Sequence, residues 1–460
     1  MLEEYFAAKK RLYPQNVKGK IRQIKWLLNI LFLSIYAFSP FLRFNRGENA
    51  PNQAILVDLP NSRAYFFGIE IWPQEVYYLA GILVLAAVTL FFVTSLFGRI
   101  WCGYACFQTV WVDIFLFFER VFQGDRNARI ILDRKNNFNK FWRKTLTHAC
   151  WIAFSLLTGF AFISYFSDVF TLLSGKFSLA NIGWMLGIAG TTYIMAGFAR
   201  EHVCTFMCPY SRFQSAMFDN NSLIISYDEK RGEPRGKAPK DGDFSNRGDC
   251  ISCNQCVVVC PTGIDIRNGL QMECIACGLC IDACNSVMEK MNLPKGLIRY
   301  DTIAHLKNPS EKTKFKIFKM RTFYYSAILL IVGTIMLTNL LTKSTLEIAA
   351  IPNRNPLFVQ LSDGSIRNGY QIRISNKTHK NKNFTLVLKS PNGAILYLQN
   401  EDSNALQVAS NKVATFLAFV TINEELLKNI EDGRSLVEFE VKDNLDETSS
   451  KKISAVFVSK

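Results

Sequence analysis

Two cysteine runs of matching period occupy the middle of the chain. The first is Cys250-x2-Cys253-x2-Cys256-x3-Cys260, followed by Pro261. The second is Cys274-x2-Cys277-x2-Cys280-x3-Cys284. A doubled run of this kind is the ligand set of a bacterial-type ferredoxin domain with two [4Fe–4S] clusters. Three thiolates of each cubane come from one tight loop that curls around the iron–sulfur core. The fourth is delivered by the other run. One cluster is therefore expected on Cys250, Cys253, Cys256 and Cys284, and the other on Cys274, Cys277, Cys280 and Cys260. Zinc favours pairs of ligands set well apart, not triplets in register, and a disulfide framework has no use for this spacing. Asn285 stands where the first run has Pro261. Proline is not a ligand, so the second set stays complete.

The chain has 460 residues and a formal charge of +15. The basic residues do not gather into a nucleic-acid patch, because apolar segments divide them. Five stretches are long and apolar enough to span a bilayer or nearly so: about 26–42, 76–97, 149–166, 182–198 and 323–341. Lys and Arg set the orientation. Residues 1–25 carry seven, residues 98–148 nine and residues 199–320 seventeen, against Arg43, Arg46 and Arg63 in the first intervening loop and Lys176 in the second. The N-terminus and the cysteine-rich insert are expected in the cytoplasm, and the C-terminus beyond the bacterial inner membrane. The first span reads as a retained anchor, since no small-residue cleavage site follows it. All 13 cysteines lie between Cys102 and Cys284, and residues 342–460 have none. Free thiols and clusters thus fall on the reducing side.

Four sections follow: 1–227, with spans one to four; 228–320, a linker and the cluster domain; 321–341, the fifth span; and 342–460, exported. Asp228–Asn246 is rich in Gly, Pro and charge and reads as linker. The basic run Lys307, Lys312, Lys314, Lys316 and Lys319 reads as an anchor against anionic headgroups. The last section holds about seven β-rich runs, at 345–351, 369–375, 384–389, 395–398, 413–422, 435–442 and 452–458, separated by turns such as Asp363-Gly364, Asn392-Gly393 and Asp432-Gly433. Residues Val437 to Val441 alternate in character. This pattern predicts an immunoglobulin-like β-sandwich that acts as a binding or docking module. The fold class is thus a multi-domain membrane protein: an α-helical bundle, a 2[4Fe–4S] ferredoxin-like domain and an all-β sandwich.

Four further cysteines form two C-x3-C pairs, Cys102/Cys106 and Cys204/Cys208, each at the inner end of a span and each preceded by an arginine, Arg99 or Arg200. On a helix this spacing puts both sulfurs on one face. Soft thiolates suit cuprous copper, zinc or iron–sulfur. Copper is the expected metal at Cys102, Cys106, Cys204 and Cys208, and packing of helix ends is the plainer alternative. His202, Met207 and Cys150 read as structural. No G-x-G-x-x-G suggests a nicotinamide or flavin site, so the electron donor is not identified.

The runs Cys102-Gly-Tyr-Ala-Cys106-Phe-Gln-Thr-Val-Trp111, Cys204-Thr-Phe-Met-Cys208-Pro-Tyr-Ser-Arg-Phe-Gln214, Cys260-Pro-Thr-Gly-Ile-Asp-Ile-Arg-Asn-Gly-Leu270 and Pro294-Lys-Gly-Leu-Ile-Arg-Tyr-Asp301 resemble the cytochrome c oxidase accessory proteins of the CcoG/FixG/RdxA family. The likeness extends over essentially the whole chain. It implies a cupric reductase that supplies Cu(I) to copper chaperones for assembly of cbb3-type oxidase. Phe107, where the family pattern has proline, and Asn285 are departures. Two readings without copper chemistry remain: a relay between quinol and a soluble partner, and an assembly scaffold stabilised by its clusters. The charge asymmetry makes a direct prediction. A reporter active only outside the cytoplasm should work when fused after Lys460 and fail when fused near Asn246; the same result at both sites would overturn the topology.

Overall fold

A computed structural model describes residues 12–47, 50–217, 219–238, 244, 247–307, 317–399, 402–403, 405–427, 433–445 and 450–459. Lys312, Lys314 and Lys316 of the basic run, Asp432 of one turn, and residues 239–243, 245 and 246 of the expected linker lie outside them. The chain divides into two compact units, residues 1–42 with 53–336, and residues 43–52 with 337–460.

The first unit begins with α1 (Lys20–Phe38) and a small antiparallel sheet of β1 (Ile55–Asp58), β2 (Arg63–Phe66) and β3 (Ile69–Ile71). Helix α2 (Tyr77–Phe97) has no charged residue along its length and stops at Gly98, whose φ of 58° suits a residue without Cβ. After α3 (Ile100–Tyr104), α4 (Phe107–Gln123) and α5 (Arg126–Arg134) comes α6 (Phe138–Ile163), capped by the Asn137 side chain, which accepts from Lys140 N at 3.1 Å. Helix α7 (Leu179–Ile194) is capped likewise by Ser178. It continues as π-helical turns at Met195–Ala199 and Val203–Met207, and α8 (Pro209–Met217) follows. The cluster domain is framed by β4 (Leu223–Tyr227) paired antiparallel with β5 (Ile298–Thr302), with α9 (Leu279–Lys290) between them. Helix α10 (Met320–Leu341) completes the helical set.

Among the described residues six helical segments are long and apolar enough to cross a membrane: Lys20–Phe41, Pro73–Phe97, Ile100–Gln123, Phe138–Ile163, Leu179–Met207 and Met320–Leu341. Ile100–Gln123 is the one beyond the five expected. Its character differs from the rest. Asp113 on α4 accepts Lys25 Nζ at 2.9 Å and Arg22 Nη1 at 3.1 Å. Glu119 pairs with Arg129 at 2.7 Å and Arg200 at 2.6 Å. Near its last residue, Gln123 donates to Thr147 in the first part of α6. Both acids of α4 are therefore buried and paired, as buried charges require.

The stretch read as linker is partly built into the cluster domain. Asp228 caps a short turn at Glu229–Gly232. Arg231 binds Asp249 at 2.5 Å, and Gly236 N–H donates to Cys250 O at 3.1 Å. The Gly and Pro content that suggests a linker serves tight turns here, and the domain's framework starts at Leu223, ahead of the expected boundary.

The second unit is a β-sandwich. One sheet has the order β10 (Ile395–Leu398), β12 (Lys412–Ile422), β8 (Ile366–Asn376), β6 (Leu346–Pro352), with β7 (Val359–Gln360) also paired to β8. The other has the order β11 (Leu406–Val408), β9 (Lys382–Ser390), β13 (Arg434–Asp443), β14 (Ser450–Val458). Alternate residues fill the space between: Tyr370, Ile372 and Ile374 from β8 meet Val437, Phe439 and Val441 from β13. Tyr370 stands edge-on to Phe439 at 5.3 Å and donates its hydroxyl to Val456 O. The long strands arise where the alternating runs lie, and β7 and β11 are short additions.

Candidate functional site

Two cavities lie side by side in the cluster domain. Cys250, Cys253, Cys256 and Cys284 line the first, about 360 Å³ of space free of atoms. Cys260, Cys274, Cys277 and Cys280 line the second, about 330 Å³, which Cys256 also borders. The loops that present these thiols use left-handed backbone at Ser252, Asn254, Ala276 and Gly278. Such turns let successive cysteines face one point. Cys280 and Cys284 belong to α9, and the amide of its first residue, Leu279, donates to the Cys277 thiol, where a helix N-terminus favours negative charge.

The two sites differ in environment. Cys253 is exposed, whereas Cys274 and Cys277 are buried. Ile225, Ile264, Ile266 and Ile275 give the second cavity apolar walls. Burial pushes the thiols of Cys274 and Cys284 up to about 12 and that of Cys256 up to about 11, although the Arg267 guanidinium pulls Cys256 down. Thiols in that range stay protonated at neutral pH unless a cation joins them. Eight thiols in two sets, held in apolar walls that resist ionisation without a metal, fit iron–sulfur clusters as donor sets. Iron binding there releases protons and stabilises the domain.

The second cavity's ligand loop rests on the helical part of the unit. Gly103 makes the closest approach: a Cβ there would lie 2.8 Å from Ile275 O and 3.0 Å from Cys277 Cα. Arg99 donates to the carbonyls of Met272, Cys274 and Ser211. Tyr104 and Tyr300 share a hydrogen bond of 3.1 Å, and Tyr300 donates to Ala276 O at 2.8 Å. Asp282, between Cys280 and Cys284, accepts from the backbone N–H of Arg22 at 2.8 Å and of Ile21 at 3.4 Å. It thereby caps α1, whose own N-cap residue, Gly19, has no side chain to offer.

The paired thiols gather at this junction. Cys102 is near Cys106, Cys204 and Cys208, and Cys204 is near Cys106 and Cys208. Cys102 and Cys204 pack against the apolar group of Val259, Ile275, Cys277, Leu279 and Ala283. The expectation of one helical face per pair needs correction. Each pair straddles a helix break: Cys106 (φ −66°, ψ 125°) precedes α4, and Cys208 (φ −80°, ψ 110°) precedes α8. Pro209 disfavours helical backbone at Cys208 and suits the first position of α8. Phe107 takes the corresponding place in α4 with the same geometry, so the departure from proline leaves the turn intact. The second sulfur of each pair therefore sits at a helix N-terminus. Cys102 donates its S–H to Gln214 Oε1 at 3.3 Å, and Gln214 is fully buried.

His202 stacks on Phe206 at 5.8 Å, Met207 is exposed, and Cys150 lies along α6. Among the described residues no three His, Cys, Asp or Glu side chains stand close enough together to hold a single metal ion. A four-iron cubane spreads its thiolates around a far larger core than one ion. Sequence reasoning missed Lys25, Gly103, Asp113, Gln214 and Asp282. Asp282 had one signal, a carboxylate placed between two ligand cysteines; the others carry none in isolation.

Comparison with known proteins supports the same division. A family described as "4Fe-4S dicluster domain" matches residues 199–303, and one described as "IG-like fold at C-terminal of FixG, putative oxidoreductase" matches residues 336–460. Protein RdxA of Cereibacter sphaeroides is 42% identical over 431 residues, 92% of this chain and 91% of its own. Protein RdxB of the same organism is 43% identical over 426 residues, covering 90% and 89%. Nitrogen fixation protein FixG of Rhizobium meliloti is 39% identical over 475 residues, covering 94% and 90%. With this identity along nearly the full length, and with both domains in place, the chain belongs to the CcoG/FixG/RdxA family of membrane iron–sulfur electron-transfer proteins.

Proposed function

We propose that this protein reduces Cu(II) to Cu(I) at the cytoplasmic face of the inner membrane. The observation that carries the reading is the packing of Cys102 and Cys204 against the same apolar group as Cys277. A thiol site suited to cuprous copper thus abuts the second cavity. Clusters bound in the two cavities would supply electrons one at a time, as a one-electron reduction of copper requires.

The ligand sets are assigned crosswise: Cys250, Cys253, Cys256 and Cys284 for the first cluster, and Cys274, Cys277, Cys280 and Cys260 for the second. The cavity linings support this assignment. Cys102, Cys106, Cys204 and Cys208 are the copper ligands of this reading; no three of them stand close enough in this structure to share one ion, so copper would have to draw them together. Cupric ion prefers nitrogen and oxygen donors, whereas the cuprous ion prefers thiolate, so reduction at these thiols keeps the product where it forms. Two helix N-termini, at Cys106 and Cys208, favour the anionic sulfur that copper needs. By family likeness the cuprous ion passes to copper chaperones and to cbb3-type oxidase assembly, and the C-terminal sandwich docks partners in the periplasm.

Two experiments test this reading. Protein isolated without oxygen should hold about eight irons per chain, as two cubanes require. Cys260→Ser should disturb the cluster of the second run more than that of its own run; loss confined to its own run would refute the crossing. The variant Cys204→Ser/Cys208→Ser should keep the iron of the parent. Its copper retention should fall at least about tenfold, the scale seen even for partners of metal ligands. Copper-driven cluster reoxidation, followed with a cuprous chelator, should slow with it. Parent-like retention and reoxidation would place the copper site elsewhere.

A further inference from the structure

The helical bundle carries a buried cation, one helical turn from the second ligand loop, that the foregoing chemistry does not use. Lys25 is 1% exposed. It lies one helical turn beyond Ile21 on the same face of α1. Ile21 touches Gly278 in the second ligand loop, where a Cβ on Gly278 would lie 2.9 Å from Ile21 Cγ2. Val17, ahead of the helix, packs in the apolar group that contains Cys277.

Asp113 holds Lys25 at 2.9 Å and Arg22 at 3.1 Å, and Asn29 Nδ2 steadies the same carboxylate at 3.2 Å. Two buried cations therefore share one carboxylate. Among the described residues Arg22 Nε and Nη2 meet no acceptor, and its guanidinium lies over the Trp26 ring at 5.0 Å. The other nearby acid, Asp282, faces the positive end of α1. The first cavity is served differently. Its cation, Arg267, is matched by its own Asp265 at 2.6 Å and also donates to Asn254 at 2.7 Å. Water reaches that site at the exposed Cys253.

We propose that Lys25, clamped by Asp113, is a counter-charge, additional to Arg99 at the Cys274 carbonyl, that keeps the second cluster reducible within its buried site. A four-thiolate cluster is already anionic, and reduction adds a further negative charge. Apolar walls oppose that addition, and a fixed buried cation favours it. Lys25 is a positioning residue in this account, touching neither copper nor iron. The inference rests on the iron–sulfur reading and adds how one of the two potentials is set.

Potentiometric EPR on membranes or purified full-length protein tests it. Lys25→Met should shift one cluster signal to lower potential by about 59 mV or more, a tenfold change in the reduced-to-oxidised ratio of a one-electron couple. The other signal should stay in place. Lys25→Arg should restore the parent value. Asp113→Asn, which removes the opposing charge, should move the same signal upward. Arg267→Met should move the other signal, which tells the two clusters apart. Parent-like potentials in iron-replete Lys25→Met and Asp113→Asn overturn the proposal, as does loss of the second cluster's iron from both variants, which would make the pair purely structural. Absence of iron from the parent itself would instead refute the iron–sulfur reading beneath it.

Discussion

A carboxylate from one domain finishes a helix of another. Asp282 sits in the ligand-bearing helix α9 and accepts the first free amides of α1. Loss of an N-cap of this kind costs about 0.5–2 kcal/mol. Here the bond also fixes position, because Asp282 stands two residues after Cys280 and two before Cys284. Whatever holds α1 in place therefore holds the thiols too. Arg99, Gly103 and the Tyr104–Tyr300 pair extend the same junction to the ends of α2 and α3. Gly103 admits no side chain because the ligand loop's backbone fills the space.

Charge pairing explains how α4 is held. Asp113 and Glu119 lie on a segment long and apolar enough to cross a membrane, yet each is buried with two cations. Removing one partner from such a pair costs about 3–5 kcal/mol, because the remaining charge is stranded. Helix α4 is therefore bound to α1, α5 and the end of α7. Cys106 immediately precedes its first turn, and Gln108 ties that turn to Met195 O at 2.9 Å. The bonds that keep the acids satisfied thus bring the two C-x3-C turns, from distant parts of the chain, to one place.

Much of this architecture is legible in the sequence, for identifiable reasons. The doubled cysteine run carries its own spacing, β13 announces itself by alternation, and β10 by its apolar run after the Asn392-Gly393 turn. Pro209 was a readable sign that Cys204 and Cys208 do not share one regular helix. Other features depend on partners far away in sequence. Asp282 and Arg22 are 260 positions apart, and Arg22 and Asp113 are 91 apart. Neither residue type, taken alone, signals a cap or a clamp. Composition also misleads where one residue serves two ends: the Gly and Pro of 228–246 suit linkers and tight turns alike, and apolarity along α4 conceals its acids.

The central claim is that the second cluster works because its loop is docked against the paired thiols. Gly103→Val tests the docking most directly, since it adds bulk between α3 and the carbonyl of Ile275, which lies 2.8 Å from the new Cβ position. Iron content and the rate of Cu(II)-driven cluster reoxidation should be measured on the same sample. The account predicts protein that retains its iron while copper-driven reoxidation falls well below that of the parent. A variant with full iron and the parent's rate would contradict it.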